Sequence, residues 1–316
     1  MKLAILCGGH SSERPISFKS TRSIIQALDK DHPVLLIDTG RSEIFTDFET
    51  QTEKAPLPPS PALVRQLLSH LEAHMIEKVC IMLHGGAGED GHIQALLDLC
   101  RIPYTGSGMG ASFVGMDKAL SKIIMAYYHV PTPAWTVLSH TAARPASPPL
   151  PLPLIVKPVN EGSTVGLSKV DKDEQWEKAL HDAFQADDHI LIEEYIPGRE
   201  LTLTVDESGA WPPVEIQPKK GLYDFESKYS KGMSRYICPA EIPPSCLNRM
   251  NRDALLLYEK MGLRGVVRFD IRLNREEHFF LEVNTLPGMT SLSLVPMSFE
   301  AGGLSYGELI QRIFHG

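Results

Sequence analysis

At 316 residues the chain exceeds the roughly 150 typical of one domain, so two or three domains are expected. Hydrophobic residues make up 43% and charged residues 22%, which excludes a disordered or fibrous chain. A formal net charge of −8 disfavours nucleic acid or an anionic membrane as partner, while leaving room for local basic sites that bind a small anion.

Read from the N-terminus, Lys2–Leu6 is a short apolar strand that runs into the loop Gly8-Gly9-His10-Ser11-Ser12. Pro15 fits the first turn of a helix reaching about Leu28. Val34–Ile37 reads as a second strand, and Ala62–Leu71 as a helix with apolar residues at Leu63, Leu67 and Leu71. Val79–Leu83 is a third strand and Ile93–Leu99 a short helix. Strands alternating with helices imply a small parallel sheet covered on both faces.

A helix is expected over Lys118–His129, followed by a Pro-rich surface linker, Arg144–Pro153. Leu154–Lys157 is a strand, Glu161–Gly166 a Gly-rich loop, Leu167–Val170 a strand and Glu174–Phe184 an amphipathic helix. The strands His189–Glu194, Leu201–Asp206 and Val214–Gln217 precede a polar loop to about Tyr236. A helix near Leu247–Met261, a strand pair Val266–Leu273 and Phe279–Asn284, and a last helix Tyr306–Phe314 complete the chain. The fold class is therefore α/β, with α+β character in the C-terminal half. The N-terminus lacks the apolar core of a signal peptide, and no run reaches the roughly 20 apolar residues of a membrane span. Five scattered cysteines without C-x-x-C spacing point to reduced thiols, and a cytoplasmic location is expected.

The segment Gly86-Ala-Gly88-Glu89-Asp90-Gly91 matches a dinucleotide fingerprint. Its two internal carboxylates would repel a pyrophosphate, and no ribose-reading acid follows at a strand end. A better anion site is Lys157 with Gly162-Ser163-Thr164-Val165-Gly166, whose backbone N–H groups and hydroxyls can fold over phosphates. The same segment also reads as an ordinary β-turn with a surface lysine. A hairpin centred on Glu276 would set Asp270 opposite Glu282 and Arg268 opposite Asn284. That gathers two carboxylates, an amide and a guanidinium on one strand face. Such hard oxygens suit Mg²⁺ bridging the phosphates of ATP, although a solvated sheet face has a similar pattern.

The ordered motifs resemble those of the D-alanine–D-alanine ligases of the ATP-grasp superfamily. They run from Gly8-Gly-x-Ser-x-Glu13 through His84-Gly-x-x-Gly88-Glu-Asp-Gly91-x-x-Gln94, Tyr104-Thr-Gly-Ser-Gly108 and Met116-Asp-Lys118. They continue with Ile155-Val-Lys157-Pro…Glu161-Gly-Ser-Thr-Val-Gly166, Glu193-Glu-Tyr-Ile…Gly198-Arg-Glu200 and Tyr223-Asp-Phe-Glu-Ser-Lys-Tyr229. Arg268-x-Asp270 and Glu282-Val-Asn-Thr-Leu-Pro-Gly-Met-Thr290 close the set.

The resemblance implies an N-terminal α/β domain over 1–104, a central ATP-grasp subdomain over 105–187, and a C-terminal subdomain over 188–316 with the metal and substrate site. It implies that Lys118 and Lys157 bind phosphates, that Glu193 and the Tyr195–Ile196 backbone meet adenine, and that Glu200 meets the ribose. Asp270, Glu282 and Asn284 would hold two Mg²⁺ ions, with Mn²⁺ as a substitute, and Lys228 would reach the γ-phosphate from a closing loop. Glu13, in a set with Ser163 and Tyr229, would hold the ammonium of the first of two D-alanine substrates. Arg268 and the Gly288 N–H would steady an oxyanion, Ser293 and Leu294 would receive the second substrate's carboxylate, and His84 would stand near that substrate.

The implied reaction is ATP-dependent formation of D-alanyl-D-alanine through D-alanyl phosphate, for peptidoglycan, by a homodimer. D-serine or D-lactate as second substrate, or a silent ATP-binding regulator, are the alternatives. Tyr229, where a phenylalanine accompanies ester-forming relatives, favours the dipeptide. Thr164, Phe225 and Ser227 depart from the usual serine, tyrosine and alanine.

Overall fold

A computed structural model describes residues 1–28, 33–219 and 234–315. Among these residues, three sheets carry the fold. The first comprises β1 (Leu3–Cys7), β2 (Val34–Asp38), β3 (Glu43–Ile44) and β4 (Lys78–Ile81), in the order β3-β2-β1-β4. β1 runs parallel to β2 and β4, as expected, and β3 adds an antiparallel edge. All five residues of β1 are buried, which follows from helices covering both faces.

The second sheet is antiparallel. Its strands are β5 (Trp135–Ser139), β6 (Leu154–Pro158), β7 (Ser168–Val170) and β8 (His189–Glu194), in the order β5-β8-β6-β7. The helix Trp176–Phe184 covers it, burying Trp176, Leu180 and Phe184 against Leu154, Val156 and Ile192. The third sheet comprises β9 (Arg199–Asp206), β10 (Gly209–Ala210), β11 (Val214–Pro218), β12 (Ser234–Ile237), β13 (Val267–Asn274) and β14 (Glu277–Asn284). Its order is β12-β11-β9-β13-β14, with β10 beside β9. β13 alternates strictly: Val267, Phe269, Ile271 and Leu273 enter the core, and Arg268, Asp270 and Arg272 take the other face.

The sheets do not divide the chain where the sequence motifs suggest. β8 hydrogen-bonds to both β5 and β6, so a boundary between 187 and 188 would cut the second sheet. The crossover to the third sheet instead follows Glu194. The helices Met109–Met116 and Lys118–Tyr127 contribute Ala111 and Met125 to the core of the third sheet, beside Phe269, Phe280 and Val283. The C-terminal helices Leu294–Ala301 and Tyr306–His315 return to the first sheet, where Val295, Phe299, Leu309, Ile310 and Phe314 pack with Leu3 and Ile5. Burying such a side chain contributes about 1.5–3 kcal/mol, so these returns fasten the two ends of the chain together.

Several elements are not evident from periodicity. β5 is a short, half-exposed edge strand, and the helix Leu294–Ala301 carries Pro296 in its first turn, a position where proline is tolerated. The strand Ser234–Ile237 lies within what reads as a polar loop. The Pro-rich 144–153 segment is more than a linker: Trp176 Nε1 donates to Pro145 O at 3.1 Å, and Leu150 and Leu152 pack on the second sheet's core. No helix among the described residues is long and apolar enough to cross a membrane.

Candidate active site

Lys118, Lys157, Ser163, Glu193, Tyr195, Ile196, Glu200, Asp270 and Glu282 line one cleft between the second and third sheets, with about 860 Å³ of open space. Regular structure delivers most of them. Lys157 lies near the end of β6, Glu193 lies on β8 opposite Ile155, and Glu200 lies on β9 opposite Arg272. Lys118 begins the helix Lys118–Tyr127, which Asp117 caps by accepting Leu120 N–H at 2.9 Å. The Met116-Asp-Lys motif therefore serves both to start a helix and to place a cation at its end. Lys118 Nζ donates to Glu161 O at 2.6 Å and lies 3.9 Å from Glu282 Oε2.

Asp270 pairs with Glu282 and Arg268 with Asn284, as expected, but not about Glu276. Asn274 faces Glu277, so the two-residue turn is Arg275–Glu276, and the register shifts between Asp270 and Ile271. Leu281 is the extra residue. This β-bulge restores the Asp270–Glu282 pairing and turns Leu281 and Glu282 toward the same cleft. Leu281 is therefore a wall residue that alternation alone would assign elsewhere.

Behind the cleft lies a buried ionic trio. Glu193 Oε1 is 2.6 Å from Lys157 Nζ, and Glu193 Oε2 is 2.8 Å from Lys122 Nζ, whose side chain is fully buried. Lys122 also donates to Thr132 Oγ1 at 2.6 Å, and Thr132 donates to Phe280 O at 2.8 Å. This polar line ties the second sheet to the third. Burial pushes the Glu193 carboxyl up, but Lys157 and Lys122 outweigh it and hold the group below its ordinary range. Burial likewise opposes charge on Lys157, yet Glu193 and Glu282 prevail and raise its pKa. For Lys122 burial dominates and lowers the pKa. Two cations on one carboxylate leave the trio net positive, which favours an anion at Lys157. Lys122 is one helical turn beyond Lys118, the one sequence signal that could have found it.

At the edge of the cleft, Ser163 Oγ donates to Glu13 Oε1. Glu13 precedes the helix Arg14–Ala27, and its carboxylate lies between two glycines. A Cβ at Gly85 or Gly162 would come within 3.0 or 3.1 Å of Glu13 Oε2. Ser163 and Thr164 hold positive φ, 49° and 67°, strained values that a functional loop can retain. The Gly8–Gly9 turn is fixed from below. Arg14 donates to Asp38 Oδ1 at 2.7 Å and Oδ2 at 2.6 Å, and a Cβ at Gly8, where φ is +75°, would sit 2.3 Å from Asp38 Oδ1. In the Gly86–Gly91 segment, Glu89 is buried and accepts Gly85 N–H at 2.5 Å, so a carboxylate closes the loop that a pyrophosphate would need. Burial, then the Glu13 charge, push the Glu89 carboxyl up to about 8.

His84 does not open onto the cleft. Its Nδ1–H donates to Leu286 O at 2.9 Å, so Nε2 accepts from Ser20 Oγ at 3.1 Å, and Met289 N–H in turn reaches Ser20 Oγ at 3.4 Å. Burial keeps the imidazole neutral by lowering its pKa, against the pull of Glu13. His84 and Ser20 thus strap both ends of the loop carrying Gly288. Beyond it, Ser293 Oγ accepts Thr290 N–H at 3.1 Å and lies 2.7 Å from Thr290 Oγ1. The Leu294 side chain packs with Val214 and Ile216, so its contribution at the loop end is the N–H of the first helical residue. Lys228 and Tyr229 lie outside the described residues.

The donor set fits a hard divalent cation. Asp270 and Glu282 face each other across strands beside Lys118 and Lys157, and Asn284 follows one pleat on, its Oδ1 accepting Leu286 N–H at 3.0 Å. Arg268 holds Asp270 through Nε and Nη2 at 2.7 and 3.0 Å, fixing the carboxylate's orientation. No group of three or more His, Cys, Asp or Glu able to hold a metal occurs among the described residues. Phosphate oxygens would have to complete the coordination, as is usual for Mg²⁺ at nucleotides.

Comparison with known proteins agrees with this geometry. The family models described as D-ala D-ala ligase N-terminus and D-ala D-ala ligase C-terminus match residues 2–107 and 118–315. The chain is 37% identical over 316 residues to the D-alanine–D-alanine ligase of Syntrophotalea carbinolica, covering 100% of this chain and 95% of that one. It is 39% identical over 319 residues to that of Bordetella avium, covering 99% and 93%. The D-alanine–D-alanine ligase of Bacillus anthracis complexed with ATP superposes with a TM-score of 0.80 at 28% identity, covering 100% and 96%. That of Coxiella burnetii gives 0.79 at 25%, covering 100% and 93%. With both halves matched in order and the ATP-grasp architecture in place, the chain belongs to the D-alanine–D-alanine ligase family.

Proposed function

We propose that the protein joins two D-alanine molecules into D-alanyl-D-alanine for peptidoglycan, converting ATP to ADP and phosphate. The observation that carries this reading is the meeting, in one cleft, of Lys118, Lys157, Asp270 and Glu282, with the Glu13–Ser163 pair at its edge. Cations from one sheet and carboxylates from another suit a triphosphate placed beside an amino acid.

Lys118 and Lys157 neutralise phosphate charge, and Lys228 would add a third ammonium at the γ-phosphate. Glu193 and the Tyr195–Ile196 backbone face adenine, and Glu200 the ribose. Asp270, Glu282 and Asn284 would hold two Mg²⁺ ions, with Mn²⁺ as a substitute; bound there, the metals supply charge neutralisation to the phosphates. Glu13, with Ser163 and Tyr229, holds the ammonium of the first D-alanine, directing its carboxylate toward the nucleotide. A carboxylate oxygen attacks the γ-phosphorus as the bond to ADP breaks, largely a task of positioning and electrostatics. The second D-alanine's amine then attacks the acyl carbon and phosphate leaves. Arg268 and the Gly288 N–H stabilise the oxyanion formed in that step, while Ser293 and the Leu294 N–H receive the second carboxylate. His84 acts one layer back, by holding the Gly288 loop.

The five cysteines are free, which supports a reducing, cytoplasmic setting. A homodimer through the N-terminal domain would give cover to Leu99, which is 85% exposed. Phosphate release measured with D-alanine, D-serine and D-lactate as second substrate tests the assignment. Preference for D-alanine is expected. A preference for D-lactate would reassign the product as an ester, and ATP binding without turnover would make the protein a regulator.

A further inference from the structure

Arg272 lies on β13, two residues beyond Asp270 on the same face, opposite Glu200 of β9. Its guanidinium is bonded on three sides. Nε donates to Ile196 O at 3.0 Å, Nη2 to Gly198 O at 2.8 Å and Nη1 to Glu200 Oε2 at 3.2 Å. Its Cζ stands 5.6 Å from the centre of the Tyr195 ring, which Lys169 Nζ also approaches at 4.3 Å. The segment it grips, from Tyr195 to Gly198, is the crossover from the second sheet to β9 of the third, which carries Glu200. That segment is pressed onto β13: Gly198 has φ +119°, and a Cβ there would lie 2.3 Å from Leu273 O.

One side chain of the third sheet therefore fixes both the backbone facing the base and the carboxylate facing the sugar. A planar guanidinium can bond three acceptors at set angles, whereas an ammonium cannot reproduce that fork. Consuming the carbonyls of Ile196 and Gly198 also settles which way the intervening peptides face.

We propose that Arg272 is a positioning residue that sets nucleotide specificity, holding the Tyr195–Gly198 backbone against the base and aiming Glu200 at a ribose hydroxyl. The inference rests on the reading of the cleft as an ATP site with Glu200 at the ribose. Without Arg272 the Glu200 carboxylate loses the guanidinium that sets its angle, so the sugar is read less well. Binding weakens because the crossover must be ordered by the nucleotide itself. The phosphates and the amino acid keep their partners, so the chemical step is spared.

The test uses the full chain, with ATP, 2′-deoxy-ATP and 3′-deoxy-ATP as alternative substrates. The unmodified enzyme should prefer ATP over at least one deoxy analogue by about tenfold, the worth of a hydrogen bond to a charged group. In Arg272→Met that ratio should fall to about one, with KM for ATP up about tenfold and kcat within about twofold. Arg272→Lys should not restore the ratio, and Arg272→Gln replaces Arg272→Met should the latter fail to melt cooperatively. Glu200→Gln separates the two premises. Loss of the ratio in Glu200→Gln but not in the Arg272 variants would overturn the role of Arg272 alone. An unmodified enzyme that does not discriminate, or a Glu200→Gln variant that still does, would remove the ribose reading and the inference with it. A fall in kcat at unchanged KM in the Arg272 variants would also overturn it.

Discussion

The cleft proposed for the nucleotide and the corner proposed for the amino acid are built on opposite principles. In the cleft, Lys157, Glu193, Glu200, Asp270 and Glu282 stand on or at the ends of paired strands, so each is placed by register. In the corner, Glu13, His84 and Gly288 come from three loops far apart in sequence. Positive-φ glycines and hydrogen bonds through Ser20, Ser163 and Leu286 hold them together. The comparison teaches that charge in the cleft is placed by strand register, whereas geometry in the corner depends on single contacts between loops.

The sharpest break on the cleft side is Glu282→Gln, which removes a charge from the oxygen set. Turnover should drop by about a hundredfold or more, the usual loss when one transition-state electrostatic contact is deleted. A steady-state rate within a few-fold of normal would contradict the metal role. Lys122→Met should mainly affect stability, because it strips one cation from the buried trio. Denaturant titration should show a loss of about 3 kcal/mol, and an unchanged midpoint would mean the trio does not brace the two sheets. In the corner, His84→Ala releases the Gly288 loop without touching the nucleotide. KM for D-alanine should rise about tenfold while KM for ATP stays level, and a matched rise in both would contradict the distinction between the regions.

A further effect concerns pH and spreads across several pH units. Burial, then the Glu13 charge, raise Glu89 to about 8, so the folded protein holds this proton more tightly than the unfolded chain does. The associated stability is fully present below the ordinary carboxylate range and is lost as pH rises toward about 8, at no more than about 1.4 kcal/mol per pH unit. Glu89→Gln keeps an acceptor for Gly85 N–H and should flatten that decline. Parallel melting curves for both forms between about pH 5 and about pH 8 would contradict it.

The same division explains what was legible in the sequence. Counting about a hairpin centred on Glu276 sets Asp270 against Glu282, but the turn is Arg275–Glu276 and only the bulge restores that pairing. The bulge at Leu281 is invisible, because an extra residue leaves no mark on an apolar strand pattern. The end of the central region is misread for a related reason. β8 looks like the first strand of the next domain, yet its hydrogen bonds run back to β5, a short edge strand hidden between proline-rich segments. His84 shows what a motif can and cannot say: the motif singles the residue out, but its strapping of Leu286 depends on a contact 202 positions away. Arg272 carries no motif and Lys122 only its spacing one helical turn beyond Lys118, so their roles emerge when the sheets are assembled.

The central claim, that the first D-alanine is activated by phosphorylation of its carboxylate in this cleft, is tested most directly with D-alanine carrying ¹⁸O in both carboxylate oxygens. After turnover with ATP and Mg²⁺, the inorganic phosphate should contain one ¹⁸O atom for each D-alanyl-D-alanine formed. Phosphate released without label would contradict the account.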